Sequence, residues 1–274
     1  MSLTPLVYDL HVHTEFSPDS TEPMETYAQK GQQLSCHIGF LDHFEYAFTH
    51  RPNHLTEEKI VLLLEEFDRV HATYPNTSLG LEVDYFIDLK SEIAEFCDDH
   101  RADFDYLIGA FHVIGRLAVT DVKEMNVLVQ KQGLLRVLKR YFKGMETAIQ
   151  SKLFDGIAHL DVVMRFAKAY ADLPKVKEFW EKRTKEIGLL CRKTGVLVEV
   201  NVGGLYQPWG SSYPNRDIID QLLDAGTSFF IGSDSHTLEA FINAAPIVRE
   251  MTEYLTQKNG LCLPGNLESS LRIP

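Results

Sequence analysis

Apolar runs alternate with longer stretches of helical periodicity along the chain. The pattern predicts strands over residues 6–12, 38–41, 79–86, 104–114, 155–162, 196–202 and 227–232. Between and after them it predicts helices over 24–34, 57–74, 87–101, 123–151, 175–194, 215–225 and 238–258. Ile60, Leu63, Leu64, Phe67 and Val70 recur at helical spacing and mark a core face. Gly195 stands where a helix C-terminus turns left-handed. Seven strands, each followed by a helix, predict a parallel α/β architecture. No Ser-, Gly- or Pro-rich linker divides the 274 residues, so a single domain over 1–274 is expected. The one long Gly/Ser/Pro-rich stretch, 203–214, reads as a loop over a site.

Composition narrows the class. Lys plus Arg is 27 and Asp plus Glu is 39, a formal net charge of −12. That balance argues against a non-specific nucleic-acid or anionic-membrane binder. An anionic substrate stays open, because bound cations invert the charge inside a pocket. Cys36, Cys97, Cys191 and Cys262 are far apart and form no CxxC pair, so a reducing, cytoplasmic location is expected. No membrane span and no signal peptide are expected either. Oligomeric state is left open.

The chemistry gathers at predicted strand ends. His11 and His13 close the first strand, and residues at i and i+2 share a face. Asp234 and His236 repeat that spacing after the seventh strand, as do His159 and Asp161 after the fifth. His43 ends the second strand, Glu82 lies on the third, His112 is near the end of the fourth, and Asp19 sits in the first loop. In a closed parallel barrel these ends converge on the face where barrel active sites lie. One HxH is a weak signal, since single histidines are more often satisfied core or surface residues. Six histidines and three carboxylates in successive strand ends are a far stronger one. Imidazole and carboxylate suit Zn, Fe or Mn, and nine donors suit two or three divalent ions.

The motifs Asp9-Leu10-His11-Val12-His13 with Asp19, Gly39-Phe40-Leu41-Asp42-His43, Glu82 with Asp84, and Gly232-Ser233-Asp234-Ser235-His236 resemble those of the PHP superfamily, named for polymerase and histidinol phosphatase. The resemblance implies a distorted (β/α)7 TIM-like barrel with a trinuclear centre. By position it implies one metal on His11, His13, Glu82 and Asp234. A second would sit on Glu82, His112 and His159, with Glu82 bridging, and a third on Asp19, His43 and His236. Asp19 stands where some relatives carry histidine. The stretch from Ala158 through His159, Asp161 and Arg165 to Phe166 resembles the monofunctional histidinol-phosphate phosphatase branch, as do Glu199 with Asn201, Gly203-Gly204-Leu205 and Tyr213-Pro214. Tyr206 stands where that branch often has a basic residue, and 116–126 matches nothing in it.

That resemblance implies hydrolysis of a small phosphate monoester, L-histidinol phosphate first, with another small phosphate ester or a nucleotide as the alternative. Metal binding makes hydroxide available at neutral pH. Arg165 reads either as a phosphate clamp or as a surface ion pair. Arg116 carries the same pair of readings, and Asn201 reads as a rim contact or a strand-end hydrogen-bonder. Asp9, Asp42 and Asp161 read as groups orienting ligand imidazoles, or as caps. Asp84 and Glu199 are candidate contacts for the substrate's cationic amine. The leaving alcohol would take its proton from the His236 region or from a metal-bound water. Three rivals are a phosphodiesterase or nuclease, a metal-dependent amidohydrolase, and a non-catalytic metal-binding module. The acidic charge opposes the first, and the second would want Lys where His112 and His159 stand.

Overall fold

The computed structural model describes residues 7–48, 54–167 and 173–267. Seven parallel strands run in the order β1 (Val7–Val12), β2 (Cys36–Phe44), β3 (Thr77–Asp84), β4 (Tyr106–Ala110), β7 (Gly156–Ile157), β8 (Leu197–Asn201) and β9 (Phe229–Gly232). A two-stranded antiparallel hairpin, β5 (Val113–Ile114) and β6 (Leu117–Ala118), rises beyond the end of β4. The sheet curls until its edges meet. Asp234 N donates to His11 O at 2.8 Å, and His13 N to Ser235 O at 2.9 Å. The result is a nearly closed barrel, with the parallel α/β architecture that the alternation predicts and the closure that the family resemblance implies.

Eight helices surround it among the described residues: α1 (Met24–Leu34), α2 (Glu57–His71), α3 (Lys90–His100), α4 (Val122–Gln132), α5 (Leu134–Ser151), α6 (Pro174–Thr194), α7 (Arg216–Asp224) and α8 (Leu238–Gln257). Four of their starts carry side-chain caps: Thr56 accepts from Lys59 N, Asp121 from Lys123 N and Glu124 N, Asn215 from Ile218 N, and Thr237 from Ala240 N. Ile60, Leu63 and Val70 are buried, and Leu64 and Phe67 pack partly against them. The barrel interior is a second apolar cluster that includes Tyr8, Leu10, Leu41, Tyr106, Ile108 and Phe230. Leu263 and Leu267 join it, so the C-terminal segment plugs the floor. The candidate metal donors lie at the opposite, C-terminal end of the strands.

The boundaries differ where backbone geometry overrides apolar pattern. The helix predicted over 123–151 is two helices, because Gly133 adopts φ 75° between them. The strand predicted over 155–162 pairs only at Gly156–Ile157; the chain then turns at His159, with φ 25°, into a short 3₁₀ turn at Val162–Met164. The run 104–114 is interrupted at Phe111–His112 and resumes as the hairpin. No described helix is long and apolar enough to cross a membrane. All four cysteines are free thiols.

Candidate metal centre

Strand register assembles the centre. β2 and β3 place His43 beside Glu82. Between Asp9 and Val12, β1 carries one more residue than β2, a bulge of the kind that re-aims side chains at barrel rims. His11 and His13 both turn inward there, fully buried. His159 and Asp234 hold φ 25° and 57°, unusual for residues with a Cβ, and both present their side chains to the same space.

Hydrogen bonds fix which nitrogen faces inward. His11 Nδ1 donates to Glu199 Oε1 at 2.7 Å. Ser17 Oγ gives its proton to Asp42 at 2.7 Å, so it accepts from His13 Nδ1 at 3.0 Å. His236 Nδ1 donates to the Asp234 carbonyl at 2.9 Å. In these orientations each Nε2 faces the centre, where a bound cation would take the place of its proton. The Nε2 atoms of His11 and His13 are 3.0 Å apart, both turned to that space. Those of His112 and His159 approach to 3.2 Å, and His159 Nε2 also meets Glu82 Oε1 at 2.9 Å.

Glu82 lies in the middle, with 1% exposure. Its Oε1 is 2.9 Å from His159 Nε2 and 3.6 Å from His112 Nε2. Its Oε2 is 2.7 Å from His43 Nδ1, 3.6 Å from His11 Nε2 and 3.8 Å from His13 Nε2, yet forms no hydrogen bond. A buried carboxylate oxygen ringed by imidazole nitrogens without an aligned proton fits a cation. His13 also reaches Asp234 Oδ1 at 3.2 Å, and Asp19 Oδ2 lies 3.1 Å from His236 and 3.7 Å from His43. Four overlapping donor triads result: His11/His13/Asp234, His11/Glu82/His159, His43/Glu82/His112 and His13/His43/His236. The structure thus brings together all nine predicted donors. Asp19 is the most exposed, with 55% of its side chain open.

The electrostatics follow from that crowding. Burial alone would raise Glu82, but the facing His43 and His11 hold its carboxyl well below the usual range. Burial likewise opposes ionisation of Asp234, and His11 and His13 outweigh it. Burial lowers the His112 imidazole to about 3, so it stays neutral and able to ligate. The six rings share the little negative charge available, which a set of divalent ions would balance.

Around the donors the structure redistributes roles. Glu199 and Asp84 are not substrate contacts. Glu199 is fully buried, and its Oε2 accepts His159 N at 2.6 Å and Asn201 Nδ2 at 3.1 Å. Asp84 is 1% exposed and accepts His112 N at 2.9 Å. Asn201, expected at the substrate rim, is fully buried and steadies Glu199 instead. Asp161 does not orient His159; it accepts Trp180 Nε1 at 2.7 Å, and burial raises its carboxyl to about 7. Asp9 accepts Ser233 N at 2.8 Å and so ties β1 to the end of β9. Asp42 does orient a ligand, through Ser17, a residue whose loop position carries no sequence signal.

A cavity of about 240 Å³ opens over the donors. His43, His112, His159, Asp234, His236 and Asp19 form its floor. Arg165 and Arg116 enter from the walls, as do Glu45, Asp121 and Glu124, acids the sequence pattern did not single out. Arg165 Nη2 is 3.8 Å from Asp234 Oδ2, and its buried Nε has no hydrogen-bond partner. Arg116 sits at the tip of the β5–β6 hairpin and is exposed.

A seven-stranded parallel barrel with nine histidine and carboxylate donors at its C-terminal strand ends defines an α/β barrel of the polynuclear metal type. The chain belongs to the PHP domain family, whose model matches residues 9–202. A probable histidinol-phosphatase of Deinococcus radiodurans is 24% identical over 233 residues, covering 83% of this chain and 85% of that protein. One of Clostridium acetobutylicum is 23% identical over 242 residues, covering 84% and 87%. A putative histidinol phosphatase from Listeria monocytogenes superposes with TM-score 0.78 at 19% identity, over 85% of this chain and 96% of that one. The Lactococcus lactis histidinol phosphate phosphatase, solved with Zn, L-histidinol and phosphate, gives 0.72 at 20% identity, over 94% and 95%. These structural likenesses concern the fold.

Proposed function

We propose that this chain is a metal-dependent phosphoric monoester hydrolase whose substrate is L-histidinol phosphate. The observation that carries the chemistry is the pair of facing Nε2 atoms beside the unsatisfied Glu82 Oε2. The observation that favours the substrate is the small cavity lined by both arginines and acids. His11, His13, Glu82 and Asp234 would hold one divalent ion, Glu82, His112 and His159 a second, and Asp19, His43 and His236 a third; Zn, Fe and Mn suit the set. Bound ions of this kind supply hydroxide at neutral pH and counter-charge for phosphoryl oxygens.

The chain's own residues do the rest. Arg165 lines the cavity with a guanidinium, a planar fork matched to phosphoryl oxygens. Arg116 faces the same space from the hairpin and neutralises the outer phosphate edge. Glu45, Asp121 and Glu124 line the same cavity and complement the ammonium group of histidinol. His236 and Asp19, 3.1 Å apart and open to the cavity, flank the position from which a solvent molecule would protonate the leaving alcohol. The free cysteines suit a reducing compartment such as the cytoplasm.

The test is phosphate release from L-histidinol phosphate by metal-reconstituted protein. A kcat/KM of about 10⁴ M⁻¹s⁻¹ or more is expected. A value orders of magnitude lower with the metals bound would keep the hydrolytic centre and discard the substrate.

A further inference from the structure

A second cavity, of about 1120 Å³, adjoins the metal-lined one and shares Phe48, Val113 and Arg116 with it. It exceeds the first several-fold and is large enough for a drug-sized ligand. One wall is apolar and aromatic. Phe48 and Phe86 meet edge-on there at 5.7 Å, and Ile87 stands 42% exposed beside them. The other wall is cationic: Arg136, Lys139, Arg140 and Lys143 project from α5, and Arg116 from the hairpin. Against these five cations the lining has one acid among the described residues, Asp88. In a chain of net charge −12 that local excess is the reverse of the overall balance.

The four α5 cations lie at i, i+3, i+4 and i+7, so each faces at least one like charge. Such pairs destabilise a helix by roughly 0.2–0.5 kcal/mol each. Elsewhere the chain interleaves opposite charges at this spacing, as in Lys177–Glu181, Lys182–Glu186 and Arg216–Asp220. On this stripe, Lys143 meets Glu146 at 3.4 Å, Arg140 reaches the neutral Gln132, and Lys139 stands 6.0 Å over the Phe179 ring. Among the described residues no carboxylate pairs with Arg116, Arg136, Lys139 or Arg140. A cationic stripe opposite an aromatic wall matches a ligand with a planar ring at one end and several anionic oxygens at the other.

We propose that this cleft binds a nucleoside diphosphate, its base against Phe48 and Phe86 and its phosphates along the α5 stripe. The site is distinct from the metal centre and touches it through Arg116.

The test is a fluorescence-anisotropy titration of the metal-loaded protein with N-methylanthraniloyl-ADP, with inorganic phosphate saturating the metal centre. Saturable binding is expected, displaced by unlabelled ADP and by pyrophosphate. It weakens about tenfold or more in the double variant R136E/R140E, while phosphate-ester hydrolysis is retained and the melting temperature is not lowered. Absence of saturable binding, or equal affinity in the double variant, overturns the proposal. So does displacement by poly-glutamate at lower concentration than ADP, which would assign the groove to an acidic protein segment. A mass that rises with concentration in the native protein but not in R136E/R140E would assign it to a second copy, with the same consequence.

Discussion

Glu199 on β8 holds His11 on β1 across the barrel, Oε1 to Nδ1 at 2.7 Å, with both side chains fully buried. The same carboxylate takes the backbone N–H of His159 at 2.6 Å, so one residue sets the orientation of two candidate ligands. Replacing Glu199 by Gln puts an amide donor or a neutral carbonyl where an anion stood and weakens the hold on the His11 tautomer. Metal affinity, measured by competition with a chelator, is expected to fall about 10–100-fold. Unchanged affinity would remove Glu199 from the support of the centre.

The contact depends on a glycine. A Cβ added at Gly232 would lie 2.1 Å from Glu199 Oε1 and 2.3 Å from His11 Cβ. Gly232→Ala is expected to destabilise the fold by about 1–3 kcal/mol and to lower metal affinity together with it. Urea unfolding and chelator competition measure the two effects separately. A variant with native stability and native affinity would show that the space is looser than described.

Glu82 is surrounded by five imidazoles. Glu82→Gln is expected to lose metal and to lower phosphatase activity by about 10³-fold or more. Chelation of the native protein should reproduce the loss and reduce the melting temperature, since each ion at 100 times its Kd contributes about 2.7 kcal/mol to the folded state. Full metal content and full rate in Glu82→Gln would show the centre to be misassigned.

Arg165 makes one long ionic contact, 3.8 Å to Asp234. Arg165→Lys keeps the charge and loses the planar fork. A fall of about tenfold or more in kcat/KM is expected, with the melting temperature nearly unchanged. A variant that melts early and turns over normally would make Arg165 structural.

His37 lies near the opposite end of β2, 2% exposed, with Nε2 at 3.0 Å from Ser78 Oγ and Nδ1 without a partner. Burial lowers its imidazole from 6.5 to about 4. The folded state thus prefers neutral His37, and its contribution is complete above pH 6.5. It is lost as pH falls from there toward 4, because the unfolded chain takes up the proton first. The loss is about 3–4 kcal/mol at most. His37→Gln should flatten that part of the acid branch in denaturant unfolding at pH 7 and 4.5. Parallel acid branches in the two proteins would contradict it.

Most of this centre was legible before any coordinates. Metal ligation demands particular side chains, and on a parallel barrel the chain must return to the same face at each strand end. Spacing alone therefore gathers His11, His13, His43, Glu82, His112, His159, Asp234 and His236. The strand–helix alternation carried the parallel α/β frame, since apolar periodicity reports directly on burial. Less was legible where a residue's role depends on which way a buried side chain points. Asp161 and Asp84 sit at motif positions like those of ligands, yet one bonds a tryptophan on α6 and the other a backbone N–H.

The sequence by itself determined the donor types, their order and the parallel α/β frame, all properties local to one strand end or one helix face. The tertiary structure decided the pairings that span the chain. Glu199 meets His11 across 188 positions, and Ser233 meets Asp9 across 224. Such pairs leave no periodic trace, because barrel closure, the β1 bulge and the room left by Gly232 bring them together. The break at Gly133 belongs to the same class: one backbone angle of 75° ends α4 and sets the direction of α5. Apolar spacing on both sides of it reads as a single helix, since burial alone carries no record of that turn.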